Sequence, residues 1–411
     1  MPHAGRDTNP LHMYDGLLST APVDPDSGAA LLRSSVLASM RVKRAREYPD
    51  PSEGRARDGG YGAVGGADTP ELRVIPMDPT TLRNRGAHAT RLAPTYHPSW
   101  KLTRVVSGHG GIVHCLCVDS SNDFFVSGSS DRMVKVWDLA TGKLRLTLPS
   151  HIQSVRALCL SSRMPYMFSA SEDKTIRCWD LEHNEVVRHY HGSLGGVYAL
   201  ALHPDLDLLV SGGSDGAVRL WDIRTRAEVF TLLGHKDAVN VVMAQSCEPQ
   251  ILSGGSDSTV RLWDLCVGRC YPDGTATHHK KGVRCAAFSP TDFTIATCSA
   301  DSIRKWRLPS GKHLHTFDTA THSPANDVVN ACAVNHAGVF VSGHGSGALR
   351  FYDWPSSQCF QSAKVTPQPG SVETEACVMS AAFDHSGSRL ITGQADKTIN
   401  VWQEDLVSSR K

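Results

Sequence analysis

Ser211–Arg224 reads SGGSDGAVRLWDIR, and 42 residues further on Ser253–Cys266 reads SGGSDSTVRLWDLC. Around the first copy, apolar and polar residues alternate with a period of two, the pattern of a strand with one face buried. VYALALH, LLVSGG, AVRLWDI and AEVFTLL follow one another as four such strands between Val197 and Leu233. The SDG and SDS between the second and third strands supply the residues a tight hairpin turn requires. Each copy therefore predicts a small antiparallel sheet that cannot bury its faces alone and must stack on a neighbour.

Outward from these copies, the terminal aromatic of the line recurs at Trp137, Trp179, Trp221, Trp263, Trp306, Tyr352 and Trp402, in steps of 42, 42, 42, 43, 46 and 50 residues. A period of about 40–45 residues closing on Trp-Asp marks the four-stranded blades of a WD40 propeller. The last repeat supplies VMSAAFD, RLITGQA and TINVWQ, one strand short of a blade, and LTRVV at Leu102–Val106 is available to complete it. The expected fold is all-β, a seven-bladed WD40 β-propeller over 99–405, closed by an N-terminal strand that removes the exposed edge an open ring would present.

His109, His151, His235 and His279 each stand 22 residues before Asp131, Asp173, Asp257 and Asp301. With the hydroxyls and indoles they make sets: His109, Ser127, Asp131, Trp137; His151, Ser169, Asp173, Trp179; His235, Ser253, Asp257, Trp263. Any one set resembles a hydrolase triad. An enzyme needs one activated nucleophile in one cleft, however, and not a copy in every unit. The sets are expected to be structural tetrads, buried networks in which each polar group satisfies another. No catalytic, cofactor-binding or metal-ligating residue is expected, and no small-molecule substrate. Three departures stand out: Ser193 at the place of a histidine, Arg307 after Trp306, and Gly345 with Tyr352 in the sixth repeat, which is expected to be the loosest. GHGSG at Gly343–Gly347 falls in a hairpin turn and lacks the strand-to-helix setting of a phosphate loop.

With 42 basic and 41 acidic side chains the chain is nearly neutral, which argues against a surface that grips nucleic acid by phosphate neutralisation alone. No apolar run approaches the roughly 20 residues of a membrane span, and MPHAGRDTNP predicts no secretory signal. The 12 cysteines form no Cys-x-x-Cys pair, so zinc-ribbon and thioredoxin readings fail, and buried free thiols in a reducing compartment are expected. Residues 1–95 are rich in Gly, Pro, Arg and Asp and are expected to be largely disordered. Within them, residues 28–47 carry apolar side chains at helical spacing followed by Arg41, Lys43, Arg44 and Arg46. That island reads equally as a partner-ordered helix with a nuclear-import signal and as a solvated, fraying one. Residues 406–411 are read as a tail.

A propeller of structural tetrads implies binding. The residue after the buried valine of each repeat is expected on the face where partners dock: His114, Arg156, Tyr198, Asn240, Arg284, Asn330 and Met379. Lys280 and Lys281 add a basic sector suited to local RNA contacts. The runs HPSWKLTRVVSGHGG, VKVWDLATGKLRLTL, SEDKTIRCWDLEHNEVVRHYHG, HHKKGVR and ADKTINVWQED resemble the pleiotropic regulator 1 family of WD-repeat proteins over about 97–405. The resemblance implies a nuclear, non-enzymatic pre-mRNA splicing factor, a spliceosomal scaffold subunit of the nineteen complex. Its implied partners are spliceosomal proteins, among them a Myb-like scaffold protein, near the catalytic RNA core. The alternative is a substrate-receptor adaptor of a cullin-based ubiquitin ligase, suggested by WDIR with Arg224 as the docking residue.

Overall fold

A computed structural model describes residues 95–405 except 150, 247–250, 266–267, 277–278, 309 and 318–326; the segment 1–94, with the island at 28–47, and the tail at 406–411 lie outside the described residues. Twenty-eight strands form seven four-stranded antiparallel sheets. The described residues hold only these strands, loops and one 3₁₀ turn at Glu373–Ala376, and no helix among them is long and apolar enough to cross a membrane. Six sheets are consecutive in sequence. The third blade is representative, with Val197–Leu202 innermost, then Leu208–Gly213, Val218–Asp222 and Glu228–Leu232.

The seventh sheet joins the two ends of the propeller. Trp100–Ser107 pairs antiparallel with Thr398–Glu404, outside Arg389–Gln394 and Val378–Phe383, with Val106 opposite Ile399 and Trp100 opposite Glu404. Val106, Val113, Phe125, Trp137, Ile391 and Ile399 then form one apolar cluster across the seam between the last and first blades. Closing the ring in this way pairs the outer side of Thr398–Glu404 and leaves the edge of Trp100–Ser107 as the blade's outer rim, like the outermost strand of every other blade.

Adjacent blades meet through the innermost strand of one and the second strand of the other. Gly128 shows why that second strand favours small residues: a Cβ there would lie 2.6 Å from Cys115 Sγ and 2.7 Å from Val155 Cγ1 of the next blade. At the seam, a Cβ on Gly393 would lie 2.7 Å from Val113 Cγ1. Each innermost strand also opens with a bulge. Pairing passes from Val113↔Ser129 to Cys115↔Gly128, leaving His114 unpaired, and the same skip recurs in the other six blades. A bulge re-aims a side chain, and here it falls on the residue after the buried valine in every blade.

Candidate functional site

In the first blade, Trp137 Nε1–H donates to Ser127 Oγ at 2.7 Å, Ser127 meets His109 Nε2 at 2.7 Å, and His109 Nδ1 meets Asp131 Oδ2 at 2.7 Å. The indole can only donate and the carboxylate can only accept, so Ser127 Oγ accepts from Trp137 and a ring proton on His109 Nδ1 points at Asp131. The second blade repeats this chain through Trp179, Ser169, His151 and Asp173 at 2.9, 2.8 and 2.9 Å. The fourth repeats it through Trp263, Ser253, His235 and Asp257 at 2.7, 2.7 and 3.0 Å. In the fifth, Thr297 takes the serine's place, 2.7 Å from Trp306 Nε1 and 2.8 Å from His279 Nε2.

The carboxylate does a second job. Asp131 also accepts from Gly110 N–H at 3.0 Å and Met133 N–H at 3.0 Å, so it ties the loop entering the blade to the hairpin between strands two and three. Burial alone would raise its pKa, but His109 and these two amides outweigh it and hold Asp131 at about 2. Asp173, Asp257 and Asp301 are lowered against the same opposing burial by the corresponding partners. Ser127, Ser169 and Ser253 are fully enclosed, each hydroxyl wedged between an indole and an imidazole, where no substrate can reach it.

The blades that depart from the pattern rebuild the brace from other residues. In the third, Arg219 Nη1 reaches Asp215 Oδ2 at 2.5 Å, replacing the histidine lost at Ser193, while Trp221 still donates to Ser211 at 2.9 Å. Arg219 stands where most blades carry Lys or Arg, so sequence alone does not single it out. The sixth blade was expected to be the loosest, yet a network occupies its turn too. Asp327, on the loop before the innermost strand, accepts from Ser346 N–H at 3.1 Å and Ser346 Oγ–H at 2.7 Å. His344 sits beside Asp327 with Nδ1 3.3 Å away and meets Ser342 Oγ through Nε2 at 2.9 Å; Arg350 Nη2 lies 3.8 Å from the same carboxylate. In the seventh, Trp402 donates to Thr392 at 3.1 Å and Thr398 to Asp396 at 2.5 Å. In the first three blades the Asp after the Trp caps the next turn, as Asp138 does for the amides of Ala140 and Thr141 at 2.9 Å each. Arg307 cannot do this.

The seven bulged residues lie at one end of the propeller, and two runs of them touch across blades: His114, Arg156 and Tyr198, and Arg284, Asn330 and Met379. His114 Nε2 meets Ser130 Oγ at 2.8 Å and Nδ1 lies 3.4 Å from Arg156 Nη1. Burial, then the Arg156 guanidinium, lower the His114 pKa to about 4, so its ring is neutral and accepts from the arginine. Arg156 also donates to Glu172 at 2.7 Å and lies 5.6 Å from the centre of the Tyr198 ring. Asn240 bonds Ser256 Oγ at 2.9 Å and the Val283 carbonyl at 2.8 Å. Arg284, which is exposed, donates to Asn330 at 3.0 Å, and Asn330 Nδ2 lies 4.0 Å from Met379 Sδ. Lys280 and Lys281 are exposed on the loop leading to Arg284. Arg224 lies at the opposite end of its blade, beside the turn where Ile223 N–H meets the Asp207 carbonyl at 3.1 Å, with its side chain 66% exposed.

Comparison with known proteins places these features in a family. The model "WD domain, G-beta repeat" matches residues 100–138 and 368–403. "Nucleolar protein 10-like, N-terminal domain" matches 129–340, starting at the last residue of one strand and ending inside another, so it cuts across blades. The chain is 57% identical over 312 residues to "Protein pleiotropic regulator PRL2" of Arabidopsis thaliana, covering 76% of this chain and 64% of that one. To "Pre-mRNA-splicing factor PRP46" of Candida glabrata it is 54% identical over 318 residues, 77% of this chain and 73% of the relative. To "Pleiotropic regulator 1" of Homo sapiens it is 52% identical over 387 residues, 92% of this chain and 73% of the relative. The first of these matches thus spans less than two thirds of the relative's length.

Proposed function

The chain belongs to the pleiotropic regulator 1 family of WD-repeat proteins, and from that premise we propose that it is a nuclear pre-mRNA splicing factor acting as a non-catalytic scaffold. The observation that carries this reading is 54% identity over 318 residues to a protein named as a pre-mRNA-splicing factor. The geometry agrees with it. Histidine, serine and aspartate groups that resemble catalytic machinery are used up inside the blades. The side chains that differ from blade to blade, His114, Arg156, Tyr198, Asn240, Arg284, Asn330 and Met379, surround one rim.

That rim is the docking face in this reading, and its partners are spliceosomal proteins, including the Myb-like scaffold of the nineteen complex. Arg and Tyr are over-represented among residues that carry interface energy, and Arg156 and Tyr198 are already held against each other. Preorganisation of that kind reduces the side-chain ordering cost of binding. Lys280 and Lys281 offer a local contact for RNA phosphates at the edge of the same rim. The test is affinity purification of the tagged full-length chain from nuclear extract, with identification of protein and RNA. Co-purification of splicing proteins with small nuclear RNAs is expected. A cullin and its linker without any splicing component would overturn the reading.

A further inference from the structure

At the interface between the fifth and sixth blades three cysteines converge. Cys285 lies on the innermost strand of the fifth blade, Cys298 directly opposite it on the next strand, and Cys332 on the innermost strand of the sixth. Their three Sγ atoms all lie within 4.8 Å of one another. The equivalent positions at the interface between the first two blades are Cys115, Gly128 and Leu158, which meet in the same way. Position 298 is the one that glycine holds in five blades, at 128, 212, 254, 343 and 393, because little room exists there. In the fifth blade the glycine is exchanged for a thiol that reaches across the interface, and both residues it reaches are thiols as well.

From this convergence we propose that Cys285, Cys298 and Cys332 form a binding site for one thiophilic divalent d10 cation of the zinc class, held by three thiolates. Zinc–sulfur bonds of about 2.3 Å set three trigonally arranged sulfurs about 4 Å apart, so the observed cluster needs only small side-chain adjustments to close on an ion. Sulfur donors without carboxylate or imidazole select soft cations over magnesium or calcium. Binding releases the three thiol protons to solvent as three metal–sulfur bonds form, so affinity falls with acid. A divalent ion with three thiolates leaves one net negative charge, and Arg284 is the neighbour of Cys285 on the same strand.

The sequence gives no sign of this site, because the three residues are separated by 13 and 34 positions on three different strands and no Cys-x-x-Cys pair exists. The inference is independent of the splicing reading, since it concerns metal uptake by the propeller alone.

The test is titration of the reduced full-length chain with cadmium, following the ultraviolet thiolate-to-cadmium charge-transfer band and the melting temperature. The expected result is one equivalent bound per chain and a raised melting temperature, with zinc competing. Cys298→Gly, which installs the residue five other blades use, should fold but lose at least ten-fold in affinity and lose the melting shift. Cys159→Ala, outside the cluster, should retain both. A folded wild-type chain that gives no band, or a Cys298→Gly variant that binds cadmium like wild type, would overturn the proposal. If Cys298→Gly failed to fold, Cys332→Ala decides between the same two results.

Discussion

The first and sixth blades solve one problem with different residues. Both must satisfy a buried hairpin turn. The first uses a linear chain of hydrogen bonds, Trp137 to Ser127 to His109 to Asp131, that ends on a carboxylate. The sixth brings its carboxylate, Asp327, from the entering loop and sets His344 and Arg350 against it. The difference teaches that the repeated line is one solution to a requirement for polar satisfaction, and that the requirement outlasts the line.

The two designs should fail differently. Asp327→Asn removes a carboxylate that lies against both His344 and Arg350, at side-chain exposures of 1%, 2% and 3% for His344, Arg350 and Asp327. Removing one partner of a buried ion pair costs about 3–5 kcal/mol. Asp131→Asn keeps one acceptor oxygen and leaves part of the set His109, Gly110 N–H and Met133 N–H short of a partner, at about 1–3 kcal/mol. Denaturant unfolding of the two variants checks the ranking, and equal losses would break the comparison.

Acid should separate the blades as well. His344 is held at about 4 by burial first and then by Arg350, against the attraction of Asp327. Its folded pKa is below the unfolded 6.5, so the unfolded chain binds more protons in that window. Stability from His344 is therefore present above about 6.5 and lost as pH falls towards 4. Asp131, held at about 2, contributes stability that is present above about 4 and lost only as pH falls from there towards 2. In a His114→Ala background, which removes the first blade's own histidine held at about 4, hydrogen exchange at pH 5 should show weakened protection in Val339–His344 while Phe124–Ser129 keeps its own. Protection unchanged in both strands at pH 5 would count against the difference.

The smallest effect is expected at the turns themselves. Lys174 has φ +69° and Arg132 also φ +69°, left-handed backbone that the adjoining carboxylates stabilise. Lys174→Gly relieves about 1 kcal/mol of strain but adds a similar unfolded-state entropy, so the melting temperature should move by no more than a few degrees. A large loss would show that the lysine side chain, and not its backbone, holds that turn.

Period, strand alternation and ring closure were legible because they depend on regular spacing: Trp221 to Trp263, and the strand deficit after Trp402 that Trp100–Ser107 fills. The histidine-to-aspartate interval of 22 residues was legible for the same reason. What spacing could not show was substitution by position in space. Arg219 looks like any basic residue two places before Trp, Asp327 lies 19 residues before the turn it braces, and three cysteines on three strands share no pattern. The rim positions could be named from the valine before each, yet the bulges that aim them depend on strand pairing, which the sequence does not print.

The central claim is that the braces hold the propeller while the bulged rim holds its partners. Its most direct test is the triple variant Arg156→Ala, Tyr198→Ala, Arg284→Ala, compared with wild type for melting temperature and for recovery of splicing components from nuclear extract. Partly exposed ion pairs contribute about 0–1 kcal/mol each, so the melting temperature should change little. Recovery of splicing proteins should fall at least ten-fold. A triple variant that stays folded and recovers the full set of splicing components would contradict the account.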